Sequence, residues 1–228
     1  QLSNILFVPT NLDIENLYKE RLKTNKSIYK VGNTISDVIK NNLPLIKNNR
    51  ILKHYNLKIK NYFLITLHRP ESVDDPKKLK KLILSFEEFG RKFNTKFIFP
   101  VHPRTDKILK MLKLKNHKFI KFIKPLEFLD FLFLMKNSKI VFTDSGGIQE
   151  ETSLIGVPCV TLRTTTERQI TIKDKTNILV GYNHQKIYKS IRYFINKKIK
   201  PSKTFGDGNV AQRIFKIIKR IDKKSLRF

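Results

Sequence analysis

One segment decides the fold of this chain: KIVFTDSGGIQEE, residues 139–151. Residues Ile140, Val141 and Phe142 are apolar and mostly β-branched, which is typical of a buried strand. Asp144 and Ser145 follow as favoured helix N-cap residues. The two glycines after them allow a close backbone approach, because no Cβ stands in the way. The segment therefore predicts a strand, a glycine turn and the start of a helix.

The glycine turn of this segment is also a candidate ligand site. The first turn of a helix presents unpaired N–H groups and the positive end of the helix dipole, which suit a phosphate around Ser145, Gly146 and Gly147. Glu151 lies one turn further along, where a carboxylate can accept hydrogen bonds from sugar hydroxyls. The alternative is a plain strand-to-helix turn with no ligand. Spacing alone leaves both open, because a Gly-Gly turn is less specific than a full dinucleotide fingerprint.

Strands and helices alternate along the rest of the chain. The pattern predicts strands near residues 5–9, 27–31, 62–67, 97–101, 119–123, 158–162 and 178–180. It predicts helices near residues 12–22, 34–39, 76–93, 108–114, 126–135, 185–195 and 210–221. This alternation indicates an α/β fold, with a parallel Rossmann-like sheet covered by helices on both faces.

Four polar clusters follow predicted strands, at HRPE (68–71), HPR (102–104), SGG (145–147) and RTTTER (163–168). Because ligands bind at the carboxyl ends of parallel strands, we expect these clusters to share one site. His68 and Arg168 can add charge-assisted bonds to an anion, and the apolar residues 128–131 can flank a base. The clusters predict a nucleotide-diphosphate pocket. The alternatives are a strand-end cap for His68, an ion pair of Arg168 with Glu167 or Glu71, and a local turn role for His102.

Composition narrows the class of protein further. The 228 residues are 40% hydrophobic, enough for a core, and no apolar run approaches the length of a membrane span. The single cysteine, Cys159, excludes an internal disulfide framework and suits a buried position in a protein of a reducing compartment such as the cytoplasm. The net charge of +28 comes from lysines spread along the whole chain. No nucleic-acid-binding motif accompanies them, so nucleic acid is not expected; a basic nucleic-acid-binding domain remains the remote alternative.

Several motifs in register give the chain a family resemblance. They are VGNTISD (31–37), TLHRPE (66–71), PVHP (100–103), TDSGGIQEE (143–151), GVPCV (156–160), TTER (165–168) and FGDG (205–208). With them, the chain resembles the non-hydrolysing UDP-N-acetylglucosamine 2-epimerases from about residue 8 to residue 218. Departures from the family pattern include Pro70, Thr164 and Gln169-Ile170, where the family often has Arg, an acidic residue and Pro-Glu.

The resemblance implies a two-domain architecture like that of the GT-B glycosyltransferases. Residues 1–24 would be the last strand and helix of the N-terminal domain, residues 25–205 the C-terminal UDP-binding domain, and residues 206–228 a helix crossing back to the first domain. The chain begins with Gln1 and runs directly into an apolar strand, so we expect upstream sequence to be missing. The full-length protein is expected to be a homodimer, in the cytoplasm and not in the membrane.

The resemblance also assigns roles to residues of this chain. Ser145, Gly146 and Gly147 would hold the diphosphate, Glu151 the ribose, and Phe131 with the backbone at Leu126 the uracil. His68 and Arg168 would bind the phosphates, and His102 is a candidate allosteric residue. No metal and no cofactor are implied.

The implied reaction interconverts UDP-GlcNAc and UDP-ManNAc by anti elimination of UDP and its re-addition. No catalytic residue is identifiable in this chain, although His68 is a candidate for a supporting role, because the family's acid/base carboxylates belong to the first domain. We therefore expect the chain alone to be inactive. Two alternatives stay open: epimerisation of another UDP-2-acetamido sugar, and glycosyl transfer on the same fold.

Overall fold

The computed structural model describes residues 3–20, 27–46, 50–114 and 116–225, the last four of these by their backbone alone. The strands are β1 (Ile5–Val8), β2 (Ser27–Lys30), β3 (Tyr62–Thr66), β4 (Lys96–Pro100), β5 (Ile120–Ile123), β6 (Ile140–Thr143), β7 (Cys159–Thr161) and β8 (Asn177–Leu179). The helices are α1 (Asn11–Lys19), α2 (Ile35–Asn42), α3 (Arg50–His54), α4 (Pro70–Val73), α5 (Pro76–Phe93), α6 (Pro103–Met111), α7 (Phe128–Asn137), α8 (Gly146–Ile155), α9 (Gln169–Lys173), α10 (His184–Phe194) and α11 (Val210–Ser225). The predicted end of the first helix, Leu22, lies outside the described residues.

The contacts divide the chain into two compact units. Unit 1 comprises Gln1–Leu45 and Ser202–Phe228, and unit 2 comprises Ile46–Pro201. In unit 1, β1 pairs in parallel with β2. The predicted domain boundary between residues 24 and 25 lies outside the described residues, and the predicted assignment of three segments to two domains stays a prediction.

Unit 1 joins two of the family-like motifs to each other. Gly32 has a φ of +95°, and a Cβ placed on it would lie 2.8 Å from the carbonyl oxygen of Phe205. Asp37 accepts hydrogen bonds from the backbone N–H groups of Val210 (2.9 Å) and Ala211 (2.8 Å). A carboxylate at this place satisfies N–H groups that a helix start leaves unpaired. The motifs at 31–37 and 205–208 therefore contact each other within unit 1, and together they form the turn before α11.

Unit 2 is built on a six-stranded parallel sheet. Its strand order is β5-β4-β3-β6-β7-β8, so the chain builds outward from β3 in one direction and then in the other. The order reverses between β3 and β6, which pair from Phe63 with Ile140 to Thr66 with Thr143. In doubly wound sheets this reversal opens a crevice at the carboxyl ends of the strands. The predicted α/β fold class is confirmed.

The core of unit 2 is rich in phenylalanine. The ring of Phe97 in β4 lies 4.9 Å from that of Phe63, 5.0 Å from that of Phe86 and 5.5 Å from that of Phe142. All four rings are fully buried. Aromatic pairs at such distances stabilise a core by about 0.5–1.5 kcal/mol each beyond the burial of their area. This packing fixes β3, β4 and β6 rigidly beneath the loops that follow them.

Two of the expected loops are partly helical. Helix α6 begins at Pro103 and not near residue 108, because His102 is its N-cap: the Nδ1 atom of His102 accepts a hydrogen bond from the backbone N–H of Arg104 (3.2 Å). Pro70 begins the short helix α4 inside the predicted HRPE loop. Proline is favoured at the first helical position, where its missing N–H has no intrahelical partner anyway. The periodicity of apolar residues misses both starts because the first turns are polar.

Candidate functional site

The four polar clusters follow four parallel strands of unit 2. His68 follows β3, His102 follows β4, Ser145 follows β6, and the segment 163–168 follows β7. Because the strands are parallel, all four clusters lie at the carboxyl edge of one sheet. Two of them, after β3 and β6, flank the point where the strand order reverses. This is the place where such sheets bind ligands.

The glycine turn after β6 is open at the start of α8. The Oγ1 atom of buried Thr143 accepts a hydrogen bond from the backbone N–H of Ser145 (3.0 Å), which shapes the turn. Ser145 is the N-cap, yet in the described segment 143–155 its side chain makes no capping hydrogen bond. A Cβ placed on Gly147 would approach nothing closer than 3.9 Å. The first N–H groups of α8 are thus arranged as in anion-binding helix starts.

Asp144 does not share the capping role predicted for it. Its carboxylate is fully buried and turns toward β3. It accepts hydrogen bonds from the backbone N–H groups of His68 (3.0 Å) and Arg69 (2.9 Å), and one oxygen lies 3.1 Å from Nδ1 of His68. Burial raises the pKa of Asp144, but these hydrogen bonds outweigh burial and the pKa lies below its ordinary value. Asp144 therefore remains ionised and holds the loop after β3.

The contact with Asp144 favours the protonated form of His68. The hydrogen bond to Asp144 raises the pKa of His68 above its ordinary value, although partial burial opposes the effect. Its side chain is 40% exposed, so the ring remains accessible from the sheet edge. A protonated imidazole at this place suits a phosphate, because charge-assisted hydrogen bonds are the stronger ones. The contact with Asp144 is structural, and the binding of a phosphate by His68 stays a prediction.

Arg168 lies against the glycine turn. Its Nε atom is 2.5 Å from a carboxylate oxygen of Glu150, a buried residue of α8. A Cβ placed on Gly146 would lie 3.7 Å from the Cζ atom of Arg168. The guanidinium therefore stands beside the helix start where the anion is expected. The structure brings the predicted residues Ser145, Gly146 and Arg168 together.

The alternative ion pairs of Arg168 are wrong. Glu167 is bound instead by both terminal nitrogens of Arg163, at 2.9 and 3.1 Å. This paired arrangement lowers the pKa of Glu167 to about 2. Glu71 lies 3.8 Å from a guanidinium nitrogen of Arg69. Glu167 and Glu71 thus pair with other arginines, and Arg168 pairs with Glu150.

Glu151 lies beside Gly147, as the spacing predicts. One of its carboxylate oxygens would lie 3.9 Å from a Cβ placed on Gly147. Burial, and then the neighbouring charge of Glu150, raise the pKa of Glu151 to about 7. Near neutral pH the carboxyl therefore changes between a pure acceptor and a group that can also donate, and both forms can bind a sugar hydroxyl. Its assignment to a ribose stays a prediction.

The other predicted residues are His102, Leu126 and Phe131. The ring of His102 is 5.9 Å from that of His68, so the two histidines are neighbours at the sheet edge. Leu126 follows β5, which β4 and β3 separate from β6. Phe131 lies in the first turn of α7 and is half-buried. The local turn role of His102 is confirmed by its cap on α6; its allosteric role, and the base contacts of Leu126 and Phe131, stay predictions.

Sequence reasoning missed the residues behind the site. Gln149 is fully buried in α8 and accepts hydrogen bonds from the hydroxyl of Thr166 (2.7 Å) and the side-chain amide of Asn177 (3.1 Å). Thr166 in turn accepts one from the backbone N–H of Arg168 (3.0 Å). This network ties the segment carrying Arg168 to α8. Its only signal in the sequence is the run of polar residues in a helix that directly follows a buried strand.

The described residues contain neither a metal-type cluster nor a membrane-type helix. Within residues 3–20, 27–46, 50–114 and 116–225, no group of three or more His, Cys, Asp or Glu side chains is arranged to hold a metal ion. Over that part of the chain, too, each helix is too short or too polar to span a bilayer. Cys159 is buried, as expected.

The fold and the edge cluster define a class: a doubly wound α/β protein with an anion-type site at the reversal of its strand order. Comparison with known proteins then gives the family. A family model described as UDP-N-acetylglucosamine 2-epimerase matches residues 1–219, and the chain belongs to this family.

Several relatives have known names, and some of their solved structures contain a bound ligand. The chain is 42% identical to the UDP-N-acetylglucosamine 2-epimerase of Methanocaldococcus jannaschii, over 95% of this chain and 61% of the relative. The crystal structure of that enzyme in complex with UDP-GlcNAc and UDP superposes with a TM-score of 0.86 at 42% identity, covering 96% of this chain and 61% of the other. The chain is also 32% identical to the UDP-2,3-diacetamido-2,3-dideoxy-D-glucuronate 2-epimerase of Pseudomonas aeruginosa, over 97% of this chain and 61% of the relative. The chain thus spans about three fifths of the length of these relatives.

Proposed function

We propose that this chain is the UDP-binding part of a UDP-N-acetylglucosamine 2-epimerase. The observation that carries the proposal is the convergence of His68, Arg168 and the open start of α8 at the strand-order reversal of unit 2. The 42% identical relative that was crystallised with UDP-GlcNAc and UDP supports the choice of ligand.

The proposed reaction inverts C2 of the sugar in two steps. A base removes the C2 proton while the C1–O bond breaks and its electron pair leaves with UDP, which gives a 2-acetamidoglucal. UDP then adds back to C1, and an acid returns the proton to C2 from the opposite face. Such chemistry needs a base and an acid, and cationic groups and N–H donors to stabilise departing UDP.

In this reaction we assign to the chain the binding of the leaving group, UDP. The N–H groups of Ser145, Gly146 and Gly147, with His68 and Arg168, would bind the diphosphate as negative charge develops on UDP. Glu151 would accept the ribose hydroxyls, and Phe131 with the backbone of Leu126 would flank the uracil. The acid and base belong to residues outside this chain. The chain alone therefore binds UDP but does not turn over substrate.

Isothermal titration with UDP, combined with product analysis, tests the proposal. Gly147→Ala is the sharpest variant, because a Cβ there meets nothing within 3.9 Å in the ligand-free protein and would stand only in the way of a ligand. We expect an unchanged melting temperature and UDP affinity lowered about tenfold or more. The control is Gly156→Ala, where φ is +71° and the Cβ would lie 2.8 Å from the carbonyl oxygen of Ile199; it should lower the melting temperature instead.

Four outcomes would contradict the proposal, in whole or in part. Equal UDP affinity of the wild type and Gly147→Ala would show that the glycine turn is not part of the UDP site. Conversion of UDP-GlcNAc to UDP-ManNAc by the purified 228-residue chain would show that the chain contains the acid and base. A product that forms only with an added sugar acceptor would favour glycosyl transfer, and nucleic-acid affinity that falls steeply with salt, without any effect of UDP, would favour the basic-domain alternative.

A second candidate substrate is a UDP-2,3-diacetamido uronate. The 32% identical Pseudomonas relative, which covers 97% of this chain, favours it. Both substrates share UDP, so the residues assigned above serve either one, and parallel assays of the full-length protein with the two sugars decide between them. For that protein we also propose a homodimer, a cytoplasmic location and an allosteric role of His102.

A further inference from the structure

A buried acidic residue lies directly behind His68. Asp144 is fully buried, and its two oxygens face groups of the loop after β3. They accept hydrogen bonds from the backbone N–H groups of His68 and Arg69, and one of them lies 3.1 Å from Nδ1 of His68. The hydroxyl of the buried Ser72 also helps to lower the pKa of this carboxylate. A carboxylate with this many donors is rigid, and so is whatever it holds.

The contact selects one tautomer of His68. Because an ionised carboxylate only accepts, Nδ1 of His68 must carry a proton in this contact. The other ring nitrogen, Nε2, lies on the far side of the ring, on a side chain that is 40% exposed. When the ring is protonated, Nε2 donates a charged hydrogen bond away from Asp144. A histidine held in this way resembles the oriented imidazoles of other enzymes, where the second nitrogen's partner fixes the ring.

Other charged groups surround this pair without replacing it. Arg69 opposes the protonation of His68, and Glu71 favours it more weakly than Asp144 does. The ring of His102 lies 5.9 Å away, and Arg163 faces Asp144 from the segment after β7. The hydroxyl of Ser72 lies 3.1 Å from the hydroxyl of Tyr182. The ammonium group of Lys78 lies over the ring of Tyr182, 4.7 Å from the ring centre.

We infer that Asp144 is a positioning residue: it fixes the Nδ1-protonated form of His68, aims Nε2 at the ligand and stabilises the charge that binds phosphate. The inference rests on the proposed function for the identity of the ligand, a diphosphate, but not for the state of the ring. Asp144 itself is buried behind the imidazole and acts through His68.

Long-range ¹H–¹⁵N NMR of the ligand-free 228-residue chain tests the inference directly. We expect the His68 ring to show Nδ1 protonated throughout the titration. In Asp144→Asn the ring should become a mixture of tautomers, and the pKa of His68 should fall by about 1 or more, as expected when an opposite charge is removed. The control is Asp74→Asn, which removes an exposed carboxylate paired with Arg104 and should leave both signals unchanged.

UDP titration of the same variants adds the functional readout. Asp144→Asn should weaken UDP binding about tenfold near neutral pH and flatten its pH dependence, and His68→Gln should do the same. If UDP does not bind the wild type while the NMR result stands, the proposed function fails and the positioning role survives. If UDP binds but the His68 ring is the same in the wild type and in Asp144→Asn, the positioning role is overturned. Should Asp144→Asn not fold, an Nε2-protonated neutral ring in the wild type overturns it equally.

Discussion

Three acidic residues near the glycine turn differ because their surroundings differ. Asp144 receives hydrogen bonds from the loop after β3, and its pKa is lowered in spite of burial. Glu150 pairs with Arg168 at 2.5 Å. Glu151, next to Glu150 and also largely shielded from solvent, has its pKa raised to about 7 by burial and then by that neighbour. Hydrogen bonds and desolvation thus shift the pKa values of Asp144 and Glu151 in opposite directions, although the two carboxyl groups flank the same glycine turn.

The pKa of Glu151 predicts a pH dependence of stability. Between pH 4.5 and about pH 7 the folded chain keeps a proton on Glu151 that the unfolded chain has lost. The free energy of unfolding therefore falls as pH rises through this window, by up to about 3 kcal/mol from this group. Glu151→Gln removes this contribution, so the stability of the variant relative to the wild type should increase as pH rises.

Urea denaturation at about pH 5 and about pH 8 measures this difference. Glu15→Gln is the matched control, since Glu15 is exposed in α1 and its loss should change little between the two conditions. A difference between Glu151→Gln and the wild type that stays constant with pH would mean that Glu151 is ionised in the folded chain at both values.

At the scale of elements, α8 buries a polar face. Its buried residues are Gly146, Gln149, Glu150, Thr152 and Ser153. A periodic pattern of apolar residues would have assigned the opposite face to the interior. The polar face is accommodated because Gln149 is hydrogen-bonded to Thr166, Asn177 and the carbonyl oxygen of Ser145 (3.1 Å). The helix is thus held by polar contacts that also place the segment leading to Arg168.

Gln149→Leu should be strongly destabilising although leucine is a good helix former. The variant leaves the Thr166 hydroxyl and the Asn177 amide buried without their acceptor, at a cost of about 2–4 kcal/mol. Thermal and urea denaturation measure it. Gln185→Leu, at an exposed position in α10, is the matched control and should stay within about 0.5 kcal/mol of the wild type. Equal stability of the two variants would show that the network does not hold α8.

At the scale of the whole molecule, the net charge of +28 acts against compactness. Repulsion among dispersed like charges destabilises a folded chain, and salt screens it over distances of about 10 Å at 0.1 M. We expect the melting temperature to rise with NaCl concentration. Chloride is the appropriate anion, because sulfate or phosphate would also compete for the start of α8. A melting temperature that falls with NaCl would mean that the ion pairs outweigh the repulsion.

Local sequence patterns were sufficient to predict the fold class and the position of the polar clusters along the chain. Alternating apolar strands and amphipathic helices predict a parallel sheet, and motifs such as TDSGG stand at strand ends whatever the strand order is. These are local properties, because propensity and periodicity report on neighbours along the chain. They failed locally where polar first turns hid the start of a helix, as at Pro103, and they did not predict the short helix α9.

Which of these clusters meet depends on the order of the strands in the folded sheet. The strand order places β3 beside β6, and so brings Asp144 to His68, a residue 76 positions away in the chain. In the same fold, Arg168 forms an ion pair with Glu150 and not with Glu167, which precedes Arg168 in the sequence. Side chains far apart in sequence become partners only once the core of buried phenylalanines fixes the strands. For this reason the sequence could predict a candidate cap at Asp144, but only the fold shows that its carboxylate holds His68.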